Sequence, residues 1–205
     1  MCRHSLTYKR IFFNAGKSDL DKSIRELIID LNAEPTAILL MYLFHIQEQE
    51  GITDKDLLEA VKACISYVFR VRIFRGSVSP QFFALTIQHF EKSTSDTPFI
   101  DRIWGALVMG AGSYRFPRDR EFQDAFENKN MYLEFKPPML RYILYAYEKS
   151  KTKDVVPPDG VTIEHILPQE PKEWQQHLMD IHDDEYFDYI HRIGNLTLTK
   201  MNSEA

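Results

Sequence analysis

Two stretches near the C-terminal end constrain this chain more than any other part of it. Thr162-Ile163-Glu164-His165-Ile166-Leu167-Pro168-Gln169 sets a carboxylate beside a histidine and closes on a proline. Ile193-Gly194-Asn195-Leu196-Thr197-Leu198-Thr199-Lys200-Met201-Asn202 answers it. Leu196 and Leu198 alternate with Thr197 and Thr199, the period-2 signal of a strand. Val161 to Leu167 is a second short strand candidate. A last helix is expected to begin near Lys200. Between the strands, Pro171 and Trp174 point to one short helix, and Asp183-Asp184-Glu185 ahead of Tyr186, Phe187 and Ile190 to another, with acids at its N-terminus.

Everything before these stretches reads as a helical body. Tyr8 to Phe13 is ambiguous, either a short strand or an extended lead-in. Ser18 fits an N-cap, with Asp19 and Asp21 in the first turn, and Leu20, Ile24, Leu27, Ile28 and Leu31 recur at helical spacing. Pro35 opens a helix expected to run to about Glu50, where Gly51 suits the residue after a helix end. Its apolar residues lie all round, so it should be buried. Thr53 caps a third helix carrying Leu57, Leu58, Val61, Ile65, Val68 and Phe69. Ser79-Pro80, Thr97-Pro98, Phe116-Pro117-Arg118-Asp119 and Pro137-Pro138 open four more. Lys149 to Gly160 is charged and then Val155-Val156-Pro157-Pro158-Asp159-Gly160, the one clear linker. The expected division is a helical body over 1–150, a linker over 151–160 and a small module over 161–205.

Composition excludes several classes. The chain has 205 residues and is 44% hydrophobic and 13% aromatic, enough to bury a core. A formal charge of -5 argues against a generally basic nucleic-acid binder, though local patches remain open. Cys2 and Cys64 make neither a disulfide framework nor a cysteine zinc pattern. The longest apolar run, Thr36 to Phe44, is too short to span a bilayer, and Arg3, His4, Lys9 and Arg10 interrupt any signal peptide. A soluble, cytoplasmic protein with no membrane partner is expected. The chain looks cut at both ends.

The residue types in the paired stretches suit phosphodiester hydrolysis, which needs a base for water and a cation for the phosphate. His165 can be that base near neutral pH. Glu164 offers a hard oxygen suited to Mg²⁺ or Mn²⁺, and Asn202 an amide oxygen from the helix start. Neighbouring strand residues point to opposite faces, so Glu164 and His165 need a bend at the strand end to act together. Asn195 can bridge the hairpin by side-chain hydrogen bonds and hold the histidine loop. Arg70, Arg72 and Arg75 end the third helix. They read either as cations on a helix dipole or as a phosphate-contacting patch, and Lys200 as a phosphate contact or a solvated residue. His177, His182 and His191 match no common zinc spacing with His165, and Trp174 reads as an apolar anchor.

The pattern Glu164-His165-Ile166-Leu167-Pro168-Gln169, then Gly194-Asn195-Leu196-Thr197-Leu198-Thr199, then Asn202, resembles the HNH-type (His-Me finger) nuclease module at the C-terminus of GmrSD-type restriction endonucleases. It is also similar to the Asp-His-Ile-Val-Pro-Gln motif of CRISPR effector nucleases. The resemblance implies a ββα-metal fold in which two strands and a helix grip one divalent ion. By it, His165 matches the general base, Glu164 the metal-binding acid, Asn202 the helix residue completing the metal site, and Asn195 the asparagine supporting the base. Arg70, Arg72 and the segment Phe116 to Phe122 look like the region that precedes the module in such proteins. The expectation is therefore a mainly α chain, a multi-helix body followed by a ββα-metal module whose last helix is incomplete. Its function would be a metal-dependent DNA endonuclease of restriction or phage defence, acting on DNA, modified phage DNA included.

Two departures bear on activity. The Asp-Gly-Gln-Gln-Arg motif of the family's N-terminal nucleotide-dependent domain is absent from this chain. The family also continues past the last asparagine, whereas few residues follow Asn202 here, too few for a stable isolated helix. Around the module, acids such as Glu164, Glu170, Asp188 and Glu204 outnumber Lys172, Arg192 and Lys200, a balance that attracts metal and repels phosphate. The alternative is a non-catalytic helical module that binds DNA or a partner and carries an incomplete nuclease finger. One such site cuts one strand, so double-strand cleavage would call for a homodimer or a second event.

Overall fold

A computed structural model of the chain describes residues 3–13, 16–47, 49–94, 96–110, 112–152, 160–170 and 183–200. The described part is mainly helical, with one two-stranded antiparallel sheet. The chain divides into two compact units, Met1–Phe122 and Gln123–Ala205.

The first unit holds α1 (Arg3–Phe12), α2 (Asp19–Arg25), α3 (Ala37–Ile46), α4 (Asp54–Arg75), α5 (Pro80–Lys92) and α6 (Phe99–Val108). The expected caps are in place. The Ser18 hydroxyl accepts from the Asp21 N–H, and Ser79 from Gln81. Thr53 and Asp56 make a reciprocal capping box at the start of α4, and Gly76 ends that helix with φ +84°, a conformation glycine takes without strain. The helix after Ser18 does not stay α throughout. It widens into a π turn over Glu26–Asp30, which keeps Leu27, Ile28 and then Leu31 buried. Pro35 sits in a 3-10 turn, Glu34–Thr36, that leads into α3.

Two expectations are corrected here. Tyr8 to Phe13 is neither strand nor lead-in but the second half of helix α1 and the residue after it. The Tyr8 and Phe12 rings, one helical turn apart, touch at 4.7 Å between centroids, Ile11 is buried, and Arg10 pairs with Asp21 at 3.0 Å. These contacts need the helical spacing and a neighbouring helix, neither visible in a six-residue window. The helix from Pro35 also stops at Ile46, short of Glu50; Gly51 still takes a positive φ of 68° in the turn that follows.

The aromatic residues of this unit form its core. Tyr67 on α4 stacks on Phe82 at 4.2 Å, meets Phe83 edge-on, and donates its hydroxyl to the Tyr114 carbonyl at 3.1 Å. Such a pair adds about 0.5–1.5 kcal/mol beyond its buried area. Burial pushes the Tyr67 phenol well above its usual range. Helix α7 (Asp119–Asn128) opens after Pro117 as the sequence indicates.

In the second unit, α8 (Met131–Glu134) and α9 (Pro137–Lys151) precede the strands β1 (Val161–His165) and β2 (Leu196–Lys200), with α10 (Asp183–Ile190) between them. The one-turn α8 was not foreseen. A two-stranded ribbon is marginal alone; here α9 packs against both strands, with Ile143, Leu144, Val161 and Leu196 buried. The register pairs Val161 with Lys200 and His165 with Leu196. The module expected over 161–205 lies wholly within this unit. Residues 153–159 of the expected linker, the helix expected around Trp174, and the last helix after Lys200 lie outside the described residues.

Candidate nuclease site

His165 ends β1. It stays in the ladder, paired with Leu196, and the chain bends only after it, at Ile166 and Leu167. Strand alternation puts His165 on the face of Val161, Ile163 and Leu196, and Glu164 on the other face with Thr162, Thr197 and Thr199. The bend that a shared Glu164–His165 site calls for thus follows the histidine instead of separating the two residues. Glu164 is exposed opposite Thr197.

Asn195 fastens the bend. Its side-chain Oδ1 accepts from the Leu167 N–H at 2.7 Å, and its Nδ2 donates to the carbonyls of Leu167 at 3.1 Å and Ile190 at 2.9 Å. The Ile166 N–H donates to the Asn195 carbonyl at 2.9 Å. The bridging role read from the sequence is the one the geometry gives. The Tyr186 hydroxyl, on α10, donates to the Pro168 carbonyl and holds the far side of the same turn.

Around the His165 ring stand three side chains. Gln169 Nε2 is 3.0 Å from His165 Nδ1, and His191 Nδ1 is 3.4 Å from His165 Nε2. Tyr132 meets His165 edge-on at 4.4 Å and stacks nearly parallel on His191 at 5.6 Å. Burial, then the neighbouring His191, pushes the His165 pKa below its usual value, against a smaller opposite pull from Glu164. Both influences favour the neutral ring, the form a base requires.

The other sequence candidates fall partly in the first unit and partly in the second. Arg70 Nη1 pairs with Asp119 at 2.6 Å, and its guanidinium lies over Phe116 and Phe122 at 5.2 and 5.1 Å. Arg72 donates to the Asn32 carbonyl, at a residue with φ +49°, and to Gly76 O at 3.5 Å. Burial pulls the Arg72 pKa down. Both arginines thus hold parts of the first unit together. Lys200 is exposed at the end of the ladder opposite to His165, about 13 Å along β2 from Leu196 at about 3.3 Å per residue. Asn202, His177, His182 and Trp174 lie outside the described residues.

Residues 116–205 match the family model of GmrSD restriction endonucleases, C-terminal domain. Over these residues the chain is similar to that C-terminal domain. No curated protein and no solved structure matches the chain. The family ties the region to restriction-endonuclease function, and no described helix is long and apolar enough to cross a membrane.

Within the matched region, the residues present bear on the ion that the resemblance implies. No group of three or more His, Cys, Asp or Glu side chains able to hold a metal occurs among the described residues. The expected set differs in kind, one carboxylate and one amide oxygen completed by water. The exposed Glu164 carboxylate fits such a set, as hard oxygen suits a magnesium-like ion. Sequence reasoning missed Tyr132 altogether and, setting aside a zinc role for His191, favoured a solvent-exposed or packing one. Tyr132 lies far from both motifs in sequence, so only folding reveals it; the signal for His191 was its place just ahead of Ile193-Gly194-Asn195.

Proposed function

We propose that the matched region of this chain is a metal-dependent DNA endonuclease module of the His-Me finger type, working in cytoplasmic restriction or phage defence. The observation that carries the reading is His165 at the end of β1, with the turn beyond it locked by Asn195. The antiparallel pairing of β1 with β2 supports reading them as the ββ part of a ββα-metal fold.

His165 takes the proton from the attacking water, and Asn195 fixes the loop that carries it. Glu164 and Asn202 would hold Mg²⁺ or Mn²⁺, which supplies charge stabilisation for the phosphate and the leaving oxygen. Lys200 is exposed and can meet a phosphate; Arg70 and Arg72 would have to exchange Asp119 and the Asn32 carbonyl for phosphate oxygens to do the same. The DNA is of a kind that restriction targets, modified phage DNA included.

The test is plasmid cleavage by the full chain with Mg²⁺ or Mn²⁺, beside His165→Ala. Loss of a general base costs about 10²–10⁴-fold in rate. His165→Ala should lose that much while its circular dichroism stays that of wild type. Undiminished cleavage by the variant overturns the reading.

A further inference from the structure

His165 has both ring nitrogens engaged, and the two partners differ in exposure. Gln169, on Nδ1, is exposed; His191, on Nε2, is half-buried and stacked on Tyr132. A neutral imidazole has one N–H and one lone pair, so the partners decide which nitrogen is basic. The Gln169 amide N–H donates to Nδ1, which places the lone pair there and the proton on Nε2. The proton then faces His191 Nδ1, which accepts it, while His191 carries its own proton on Nε2. The opposite arrangement would aim the basic lone pair at the His191 ring.

We propose that His191 is a positioning residue for His165: by accepting from Nε2–H it fixes the tautomer whose basic atom, Nδ1, faces the exposed Gln169 side. This rests on the reading of His165 as the general base. A water that displaces the Gln169 amide meets the lone pair directly. When Nδ1 takes the water's proton, the Nε2–H becomes part of an imidazolium, and its hydrogen bond to His191 strengthens with the charge.

The scaffold holds His191 for this task. The Tyr132 N–H donates to the His191 carbonyl at 3.1 Å, and the Tyr132 ring lies within 10° of parallel to the His191 ring. Asn195 anchors the carbonyl of Ile190, the residue before His191, with the same Nδ2 that anchors Leu167. One asparagine thus ties together the segments bearing both histidines.

The experiment uses the full chain with isotope-labelled histidine, in wild type, His191→Ala and His191→Asn. Ring-nitrogen and Cδ2 shifts, read at a pH where the rings are neutral, report the His165 tautomer. Wild type should show the Nε2–H form, His191→Ala a mixture, and His191→Asn the wild-type form, because Asn Oδ1 can accept where Nδ1 did. In plasmid cleavage with Mg²⁺, His191→Ala should lower kcat about ten- to hundredfold, the usual cost of losing such a second partner, with KM unchanged. His191→Asn should recover most of it. A wild-type Nδ1–H tautomer, or a His191→Ala variant with wild-type tautomer and kcat, overturns the proposal. If His165→Ala cuts as fast as wild type, the base assignment falls while the tautomer comparison still decides what His191 does.

Discussion

Asn195 and Leu167 exchange two hydrogen bonds, an N–H to Oδ1 at 2.7 Å and an Nδ2 to carbonyl at 3.1 Å, so that a single side chain completes the backbone pairing of the turn after His165. With the Ile190 bond at 2.9 Å, the side chain serves three backbone groups. Each net bond contributes about 0.5–1.5 kcal/mol, and leaving a partner unsatisfied costs more than never forming the bond. Asn195→Ala should therefore lower the stability of the second unit by about 2–4 kcal/mol. Asn195→Asp keeps the acceptor but faces two carbonyls with a carboxylate, and should be no better. Urea unfolding followed by circular dichroism reads the loss; a shift within error of wild type in both variants removes Asn195 as the clamp.

Charge on the surface gives a different pair of outcomes. Lys200 is exposed, whereas Arg70 is held by Asp119 and two phenylalanine rings. Lys200→Gln should weaken DNA binding across sequences and reduce the salt slope of log K by about 1, with no change in melting temperature. Arg70→Gln should act on the fold: the two cation–π contacts, with little added by the ion pair to the exposed Asp119, predict a loss of about 1–2 kcal/mol in the first unit. Titrations at several salt concentrations, alongside thermal melts, separate the two. An Arg70→Gln variant with wild-type stability and a reduced salt slope would return that arginine to the phosphate-contacting patch.

What the sequence disclosed depended on how local the cause was. Ser18, Thr53 and Ser79 act on backbone groups within three residues, and each helix start they signal is where the structure has it. The alternation of Leu196 and Leu198 with threonines likewise marked β2. Helix α1 escaped because its reasons, Asp21 for Arg10 and Phe44 under the same guanidinium, lie on other elements. The role of Asn195 in bridging the histidine loop was legible because motif and loop share one hairpin. The ring of Tyr132 and His191 around His165 was not, since two of its members are brought in by folding from α8 and from beyond α10.

The fork between Arg115 and Glu121 sets an acid limit on the first unit. Arg115 donates to both Glu121 oxygens, one at 2.7 Å, and the Arg118 N–H adds a third bond at 2.9 Å. These bonds, the arginine first and the backbone N–H second, pull the Glu121 carboxyl down to about 2. An unfolded glutamate titrates near about 4.3. Between those values the unfolded chain binds the proton and the folded one does not, so stability rises with pH across that window. The contribution is complete above about 4.3 and disappears as pH falls toward 2. Glu121→Gln should flatten the pH dependence of the urea midpoint in that window relative to wild type, and Arg115→Met should return the Glu121 titration, read by carboxyl carbon shifts, toward the ordinary value. Asp19 and Asp56 are also lowered, by Lys22 and Thr53, so part of the acid slope should survive in Glu121→Gln. Because the pair is partly exposed, added salt should shrink its charge–charge part and leave the hydrogen-bonded part in place. An unchanged slope in Glu121→Gln would mean that the fork forms without favouring the ionised carboxylate.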